Sequence, residues 1–575
     1  MGRYLTRLCL MSFAVLLAAC SSGKSDISIS PQAAEVTQVK TAQGELIGFI
    51  AGNGAHVWRG VPYAADTSGQ NRWRAPRPAA PWEGIRQALD FAPVCPQIAT
   101  VFTPIESFIN GELEGSEDCL ILDIYAPENA AGKSLPVMLW IHGGSNVSGS
   151  SLLYVGKNLA VNEDVIIMSV QYRLGPMGWF SHPALVESAQ TLEDKSANFG
   201  TLDLIAALKW VQANAKAFGG NPDNVTIFGE SAGGHNVSTL LASPLAGGLF
   251  HRAIIQSGSF DSVTIDEARG VSGDLPNPSF DVTKRLGGPE KFHSASLAEV
   301  FAAFDLENIE SEGFMDLPRI IRDGVVLPKT PLRNAFSSLE TFNNVPIMSG
   351  TNKDEMKLFH LFDVRFTKTK FGQFIVAKDQ NFYDAASDYS TRVWKIRSVD
   401  RPLAMMDEAG HSNVYGYRFD WDEGGKFLWM DLSKMLGAGH AVEIPFVLNR
   451  FKLLGEDGDK LLFGKKTAQS REKLSRAMGR YWASFARHGV PQSDGFATWP
   501  VFGSGADILH FDSDKDGGIR VQSGADSFEN LARDLSTDTR LSSEQRCEIA
   551  QGLQVWSPKL APALRAIDGC EIKTR

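Results

Sequence analysis

Short apolar runs alternate with longer stretches in which apolar residues return every three or four positions. Val137-Met138-Leu139-Trp140-Ile141 is apolar throughout, the pattern of a strand buried on both faces. Val165-Ile166-Ile167-Met168 repeats it, and Val225-Thr226-Ile227-Phe228 and Ala253-Ile254-Ile255 predict two further short strands. Leu202, Ile205, Ala206, Trp210, Ala213 and Ala217 fall on one face of a helix, which Gly219-Gly220-Asn221-Pro222 then ends. Strands alternating with helices predict an α/β fold, a large and mostly parallel central sheet with helices on both faces. No internal repeat is present and no low-complexity linker follows Pro31, so residues 36–575 read as one domain.

The first residues stand apart from that pattern. Arg3 and Arg7 precede an almost wholly apolar stretch, Leu8 to Ala19, too short to span a bilayer and suited to a cleavable signal over residues 1–19. The run Leu17-Ala18-Ala19-Cys20 resembles the lipobox of bacterial lipoprotein signals, in which the cysteine is lipidated. Ser21 in place of an aspartate implies, by the same resemblance, the outer membrane. The expectation is an exported chain anchored to a membrane through lipid on Cys20, with residues 20–35 as a flexible tether. Export also bears on the cysteines. With Cys9 in the signal and Cys20 lipidated, Cys95, Cys119, Cys547 and Cys570 remain. Four cysteines in an exported chain imply disulfides and allow three pairings. The most local is Cys95–Cys119 with Cys547–Cys570, each loop contributing roughly 3 kcal/mol in the chain-entropy model.

Composition narrows the function. The chain has 575 residues, 43% of them apolar, and a net charge of −10. That is ample apolar surface for a packed core. The acidic balance, without a dense Lys/Arg run, argues against nucleic-acid partners. No internal segment approaches the ~20 consecutive apolar residues of a membrane span. The cysteines form no CxxC pair or His/Cys cluster, so no structural zinc site is expected.

The candidate chemistry sits at two strand ends. Gly229-Glu230-Ser231-Ala232-Gly233 follows the Val225–Phe228 strand directly and has the GxSxG form. On a sharp strand-to-helix turn this pattern exposes the serine Oγ as a nucleophile, and the flanking glycines permit the crowded backbone. His142-Gly143-Gly144-Ser145 follows the Val137–Ile141 strand. A glycine-rich loop there brings backbone N–H groups to the oxygen that becomes negative during acyl transfer, joined by the N–H of Ala232.

These motifs make the sequence resemble the type-B carboxylesterases, the cholinesterase-like branch of the α/β-hydrolases, over nearly all of the chain from Val36. The matching pieces are Gly60-Val61-Pro62-Tyr63-Ala64, Ser116-Glu117-Asp118-Cys119-Leu120, Gly229–Gly233 and Gln256-Ser257-Gly258-Ser259. The resemblance implies the α/β-hydrolase fold and supports the Cys95–Cys119 bridge. It implies a Ser-Glu-His triad. Gly350-Thr351-Asn352-Lys353-Asp354-Glu355 matches the acid segment, so the acid is Glu355 and not Asp354. Gly439-His440-Ala441-Val442-Glu443-Ile444-Pro445-Phe446 matches the base segment, so the base is His440. By resemblance the oxyanion donors are the N–H groups of Gly144, Ser145 and Ala232. The implied activity is hydrolysis of a small carboxylic ester through an acyl-enzyme, which needs no metal and no cofactor. Two alternatives remain: a non-catalytic cholinesterase-like recognition module, and hydrolysis of another acyl bond, such as an amide, thioester or lactone.

Some positions depart from the family. Ser145 stands where a third glycine is usual, so its side chain is expected to narrow the acyl site. Met356 replaces the glycine that usually follows the acid, leaving the local backbone open. The Cys95–Cys119 loop lacks the choline-stacking tryptophan, which argues against choline esters. That loop carries Glu106, Glu112, Glu114, Glu117 and Asp118 without a base, a pattern read as a solvated acidic face. Asp512-Ser513-Asp514-Lys515-Asp516-Gly517 resembles the start of a calcium loop. Ser523 occupies the place of the closing glutamate, and a charged hairpin turn explains the run.

Overall fold

A computed structural model describes residues 31–570, except 101–110, 305–318, 373, 504, 506, 558–559, 565–566 and 568–569. The signal and Cys20 lie outside the described residues, as does Glu106. The central sheet has eleven strands. In chain order they are β1 (Phe49–Ile50), β2 (His56–Pro62), β3 (Ile121–Ala126), β4 (Leu135–Ile141), β5 (Ile166–Val170) and β6 (Gly220–Glu230). Then come β7 (Arg252–Gln256), β8 (Ile347–Asn352), β9 (Val414–Phe419), β10 (Ile508–Phe511) and β11 (Arg520–Gln522). Across the sheet the order is β11-β10-β9-β8-β7-β6-β4-β5-β3-β2-β1. Neighbours from β5 to β10 run parallel, and the strands outside that block pair antiparallel. The sheet is therefore mostly parallel at its centre, as the apolar runs predict, with hairpin-type pairing at both margins.

The apolar runs fill both faces. In β4, Val137, Leu139 and Ile141 enter one buried cluster and Met138 and Trp140 the other. That split follows from the two-residue period of a strand, and it is why the run contains no polar residue. The predicted helix is α1, Phe199–Asn214, closed by a 3-10 turn and by Gly219 at φ 82°. It departs from a one-faced helix, because Thr201, Asp203 and Asn214 are buried with its apolar residues. Asp203 explains part of this. It takes Nε and Nη2 of the buried Arg173 at 2.8 and 2.6 Å, so a charge lies inside without being unpaired.

Cys95 bonds Cys119 and Cys547 bonds Cys570. Glu117 corrects the reading of its loop as a solvated acidic face. It is buried and held by Arg72 through Nε at 2.7 Å and Nη2 at 2.6 Å, an arginine distant in sequence. Residues 512–519 connect the antiparallel strands β10 and β11. There Lys473 binds Asp514 at 2.7 Å and Ser513 donates to Glu423, so the polar side chains face separate partners. No group of three His, Cys, Asp or Glu among the described residues is arranged to hold a metal ion.

Candidate active site

Adjacent parallel strands end at one level. Ile141 is in register with Gly229, Glu230 with Gln256, and Gln256 with Gly350. The loops leaving these carboxyl ends carry the candidate residues, where an open α/β sheet concentrates its chemistry.

Ser231 sits between β6 and α2 (Ala232–Ala242), at φ 56° and ψ −121°. An L-residue is strained there, and the surroundings impose it. Its N–H donates to the Gln256 carbonyl at 2.9 Å and its carbonyl accepts from His235 N–H at 2.9 Å. The turn is tight because Gly233 packs on the neighbouring strand β4: a Cβ at Gly233 would collide with the Ile141 carbonyl.

The glycine-rich loop lies against that turn. A Cβ built on Gly143 would stand 3.1 Å from Ser231 Cβ. Gly144 has φ 99°, and its Cβ would strike the Ser148 carbonyl, so only glycine fits. Ser145 and Asn146 then follow at φ 54° and 58°. Among the described residues no acceptor engages the N–H of Gly144 or Ser145. Ala232, the first residue of α2, has no intrahelical acceptor. The loop is fixed from outside: Arg319 Nη1 donates to the Ser145 carbonyl at 2.6 Å. Asn146 Oδ1 accepts from Asn236 at 2.8 Å and Tyr172 at 3.2 Å. Ser145 thus takes a left-handed backbone that the usual glycine would adopt without strain.

Glu355 opens the helix α3 (Glu355–His360) and is fully buried. It accepts from His440 Nδ1 at 2.5 Å, Ser257 Oγ at 2.5 Å, Thr351 Oγ1 at 2.6 Å and Asn352 N–H at 2.6 Å. Burial alone would raise its pKa, but His440 and these donors hold it below the ordinary carboxylate value. An ionised carboxylate can only accept, so His440 carries its proton on Nδ1 and leaves Nε2 as the basic nitrogen. Asp354 takes a different course: it accepts from Ala438 N–H at 3.0 Å and pairs with Lys357 at 3.0 Å. Met356 is buried within α3 and needs no glycine-like backbone, since its conformation is helical.

His440 Nε2 makes no hydrogen bond among the described residues, and Ser231 Oγ is not bonded to it in this structure. Catalytic hydrogen bonds are often loose in free enzymes. Glu230 Oε1 lies 3.1 Å from Nε2. Burial pushes the Glu230 carboxyl well up against the opposing attraction of His440, with Glu443 and Glu355 adding to the shift. For His440, burial disfavours the charged ring. Glu230, Glu355 and then Glu443 outweigh it and push the pKa up to about 9.

Sequence reasoning gave Glu443, Ser257, Thr351, Asn352 and Glu230 no part beyond their places in the matching segments. Glu443 is buried and accepts from Asn352 Nδ2 at 2.6 Å and Gln256 Nε2 at 3.1 Å. The available signal was a glutamate inside the apolar run Val442–Phe446. Phe359 and Trp394, with ring centroids 5.2 and 5.1 Å from His440, gave no signal, because their proximity arises only from helix packing.

The family model described as "Carboxylesterase family" matches residues 35–395 and 373–526. The chain belongs to the carboxylesterase family. It is accordingly a carboxylic ester hydrolase. Para-nitrobenzyl esterase of Bacillus subtilis is 32% identical over 482 residues, 81% of this chain and 92% of that protein. Carboxylesterase 1D of Rattus norvegicus is 33% identical, over 81% of this chain and 87% of that protein. A solved thermophylic PNB esterase superposes with a TM-score of 0.69 at 28% identity, covering 86% of this chain and 99% of its own. The α/β-hydrolase fold that the sequence implies is thus present.

One pH effect follows from the carboxylates around His440 of this carboxylesterase. A general base works when neutral, so with His440 in that role kcat/KM should rise with pH through its pKa. Since Glu230 raises that pKa, Glu230→Gln should move the acid limb of the profile to lower pH. Profiles of kcat/KM against pH for both proteins decide it; coincident acid limbs would show that Glu230 does not act on His440.

Proposed function

We propose that this carboxylesterase cleaves its ester through an acyl-enzyme on Ser231. His440 takes the Oγ proton as Oγ attacks the ester carbonyl and returns it to the departing alcohol. Glu355 holds the imidazole tautomer and stabilises the imidazolium. The N–H groups of Gly144, Ser145 and Ala232 receive the oxyanion. Water, activated by His440, then releases the acid and restores Ser231. The observation that carries this reading is the 2.5 Å bond from His440 Nδ1 to a buried Glu355, beside a serine held at φ 56° on a strand-to-helix turn. The export signal and lipid on Cys20 are part of the proposal and rest on the sequence of residues 1–20 alone.

The test is covalent. A fluorophosphonate should stop p-nitrophenyl butyrate turnover at one equivalent, and the added mass should lie on the peptide containing Ser231. Turnover that survives full labelling, or a label on another serine, would remove Ser231 from the role.

A further inference from the structure

Two hairpins leave the segments that carry the acid and the base. The first, Thr367–Lys370 paired with Phe374–Ala377, follows α3. The second, Lys426–Phe427 paired with Met430–Asp431, leads into the turn before His440. Phe371 at the first tip is 67% exposed; Phe427, Leu428 and Trp429 at the second are 55, 57 and 48% exposed. The tips meet, with the Phe371 and Trp429 rings 4.8 Å apart. Phe371 and Leu428 stand at φ 53° and 51°, where bulky residues are rare. The backbone is thus strained at the positions where large apolar side chains face outward.

The surrounding charge is positive although the chain is acidic overall. Lys370 lies 5.6 and 4.9 Å from the Phe371 and Trp429 rings, and Lys368, Lys378 and Lys426 are exposed nearby. The acids beside the tips are engaged: Asp363 binds Arg365 at 2.5 Å, Asp431 lies 3.8 Å from Lys426, and Asp379 accepts from the N–H groups of Asn381 and Phe382 at the start of the next helix. Tryptophan, phenylalanine and leucine on a projecting tip, rimmed by lysine, form the chemistry of an interfacial anchor. The rings enter the headgroup–acyl boundary and the ammonium groups meet phosphate.

We propose that these two tips seat the protein on an anionic lipid surface. Projecting rings with ammonium groups beside them fit the headgroup–acyl boundary, which supplies apolar depth and phosphate together; a second copy of the chain is an outcome of the test. A lipidated Cys20 would keep the chain beside such a surface. In the chain the two hairpins follow the carboxyl ends of β8 and β9, where the sheet's functional loops leave it, so docking would bring that end of the sheet toward esters dissolved in the lipid. The docking itself rests on the hairpins and not on the role of Ser231.

The test uses the chain from Ser21 onward, which keeps every described residue and carries no lipid. Vesicles of phosphatidylcholine with about one third phosphatidylglycerol should pellet it, and pure phosphatidylcholine should pellet less. The double variant Phe371→Ser, Trp429→Ser should lose at least about tenfold in partitioning. Lys368→Glu with Lys370→Glu should lose binding to the anionic vesicles alone. Both variants should keep p-nitrophenyl butyrate turnover, which shows that they fold. Equal pelleting of wild type and the double variant would overturn the proposal. So would wild type that pellets with neither vesicle, or sedimentation showing a dimer that the double variant dissociates.

Discussion

Ser231→Ala should lower kcat for p-nitrophenyl butyrate by roughly a millionfold, the loss expected when the nucleophile of a triad is removed. KM should change little, because the hydroxyl contributes to bond making more than to ground-state binding. The strained turn adds a second, independent readout. At φ 56° and ψ −121° a Cβ carries a backbone cost, and alanine keeps it. Glycine reaches that region freely, so Ser231→Gly should be more stable than Ser231→Ala by about 1 kcal/mol, although glycine loses more entropy on folding. Urea midpoints of the two inactive proteins measure this. Kinetics near wild type in Ser231→Ala would end the acyl-enzyme reading. A glycine variant no more stable than the alanine one would show that the turn stores no strain.

Glu355→Gln should cost roughly 10^4-fold in kcat. The amide retains the shape but not the charge. Its NH₂ would meet donors at Ser257, Thr351 and Asn352, where the carboxylate accepts. It can also present a donor to Nδ1, which favours the imidazole tautomer with the proton on Nε2, the wrong nitrogen for a base. Asp354→Asn is the control: Asp354 binds Ala438 N–H and Lys357 and does not touch His440. Steady-state kinetics of both variants separate the assignments. Equal losses in the two would mean that the acid segment acts through folding and not through the Glu355 charge.

The local chemistry was legible where one segment supplies both the residues and the geometry. The Gly229–Gly233 turn is such a case. Strand, glycines, serine and following helix are contiguous, so the turn reads from one segment, although the Gln256 and Ile141 carbonyls pack it in place. The Val137–Ile141 run reads as a central strand for a similar reason, since burial on both faces excludes polar residues from either. Glu355 and His440 were legible only by resemblance, being 85 positions apart with no local pattern linking them. The acidic loop was misread at Glu117, because its partner Arg72 lies 45 positions away.

The sequence alone therefore determined the class of fold, the strand-to-helix turn at Ser231 and the glycine loop, for each depends on short-range sterics and burial period. Only the tertiary structure decided that Glu230, Glu355 and Glu443 crowd around one histidine. It alone showed that Phe359 and Trp394 flank that histidine, and that four apolar side chains from two separate hairpins form one exposed tip. The reason is physical. Electrostatic coupling acts through space over a few ångströms, and the distance between two side chains in the fold bears no fixed relation to their separation along the chain.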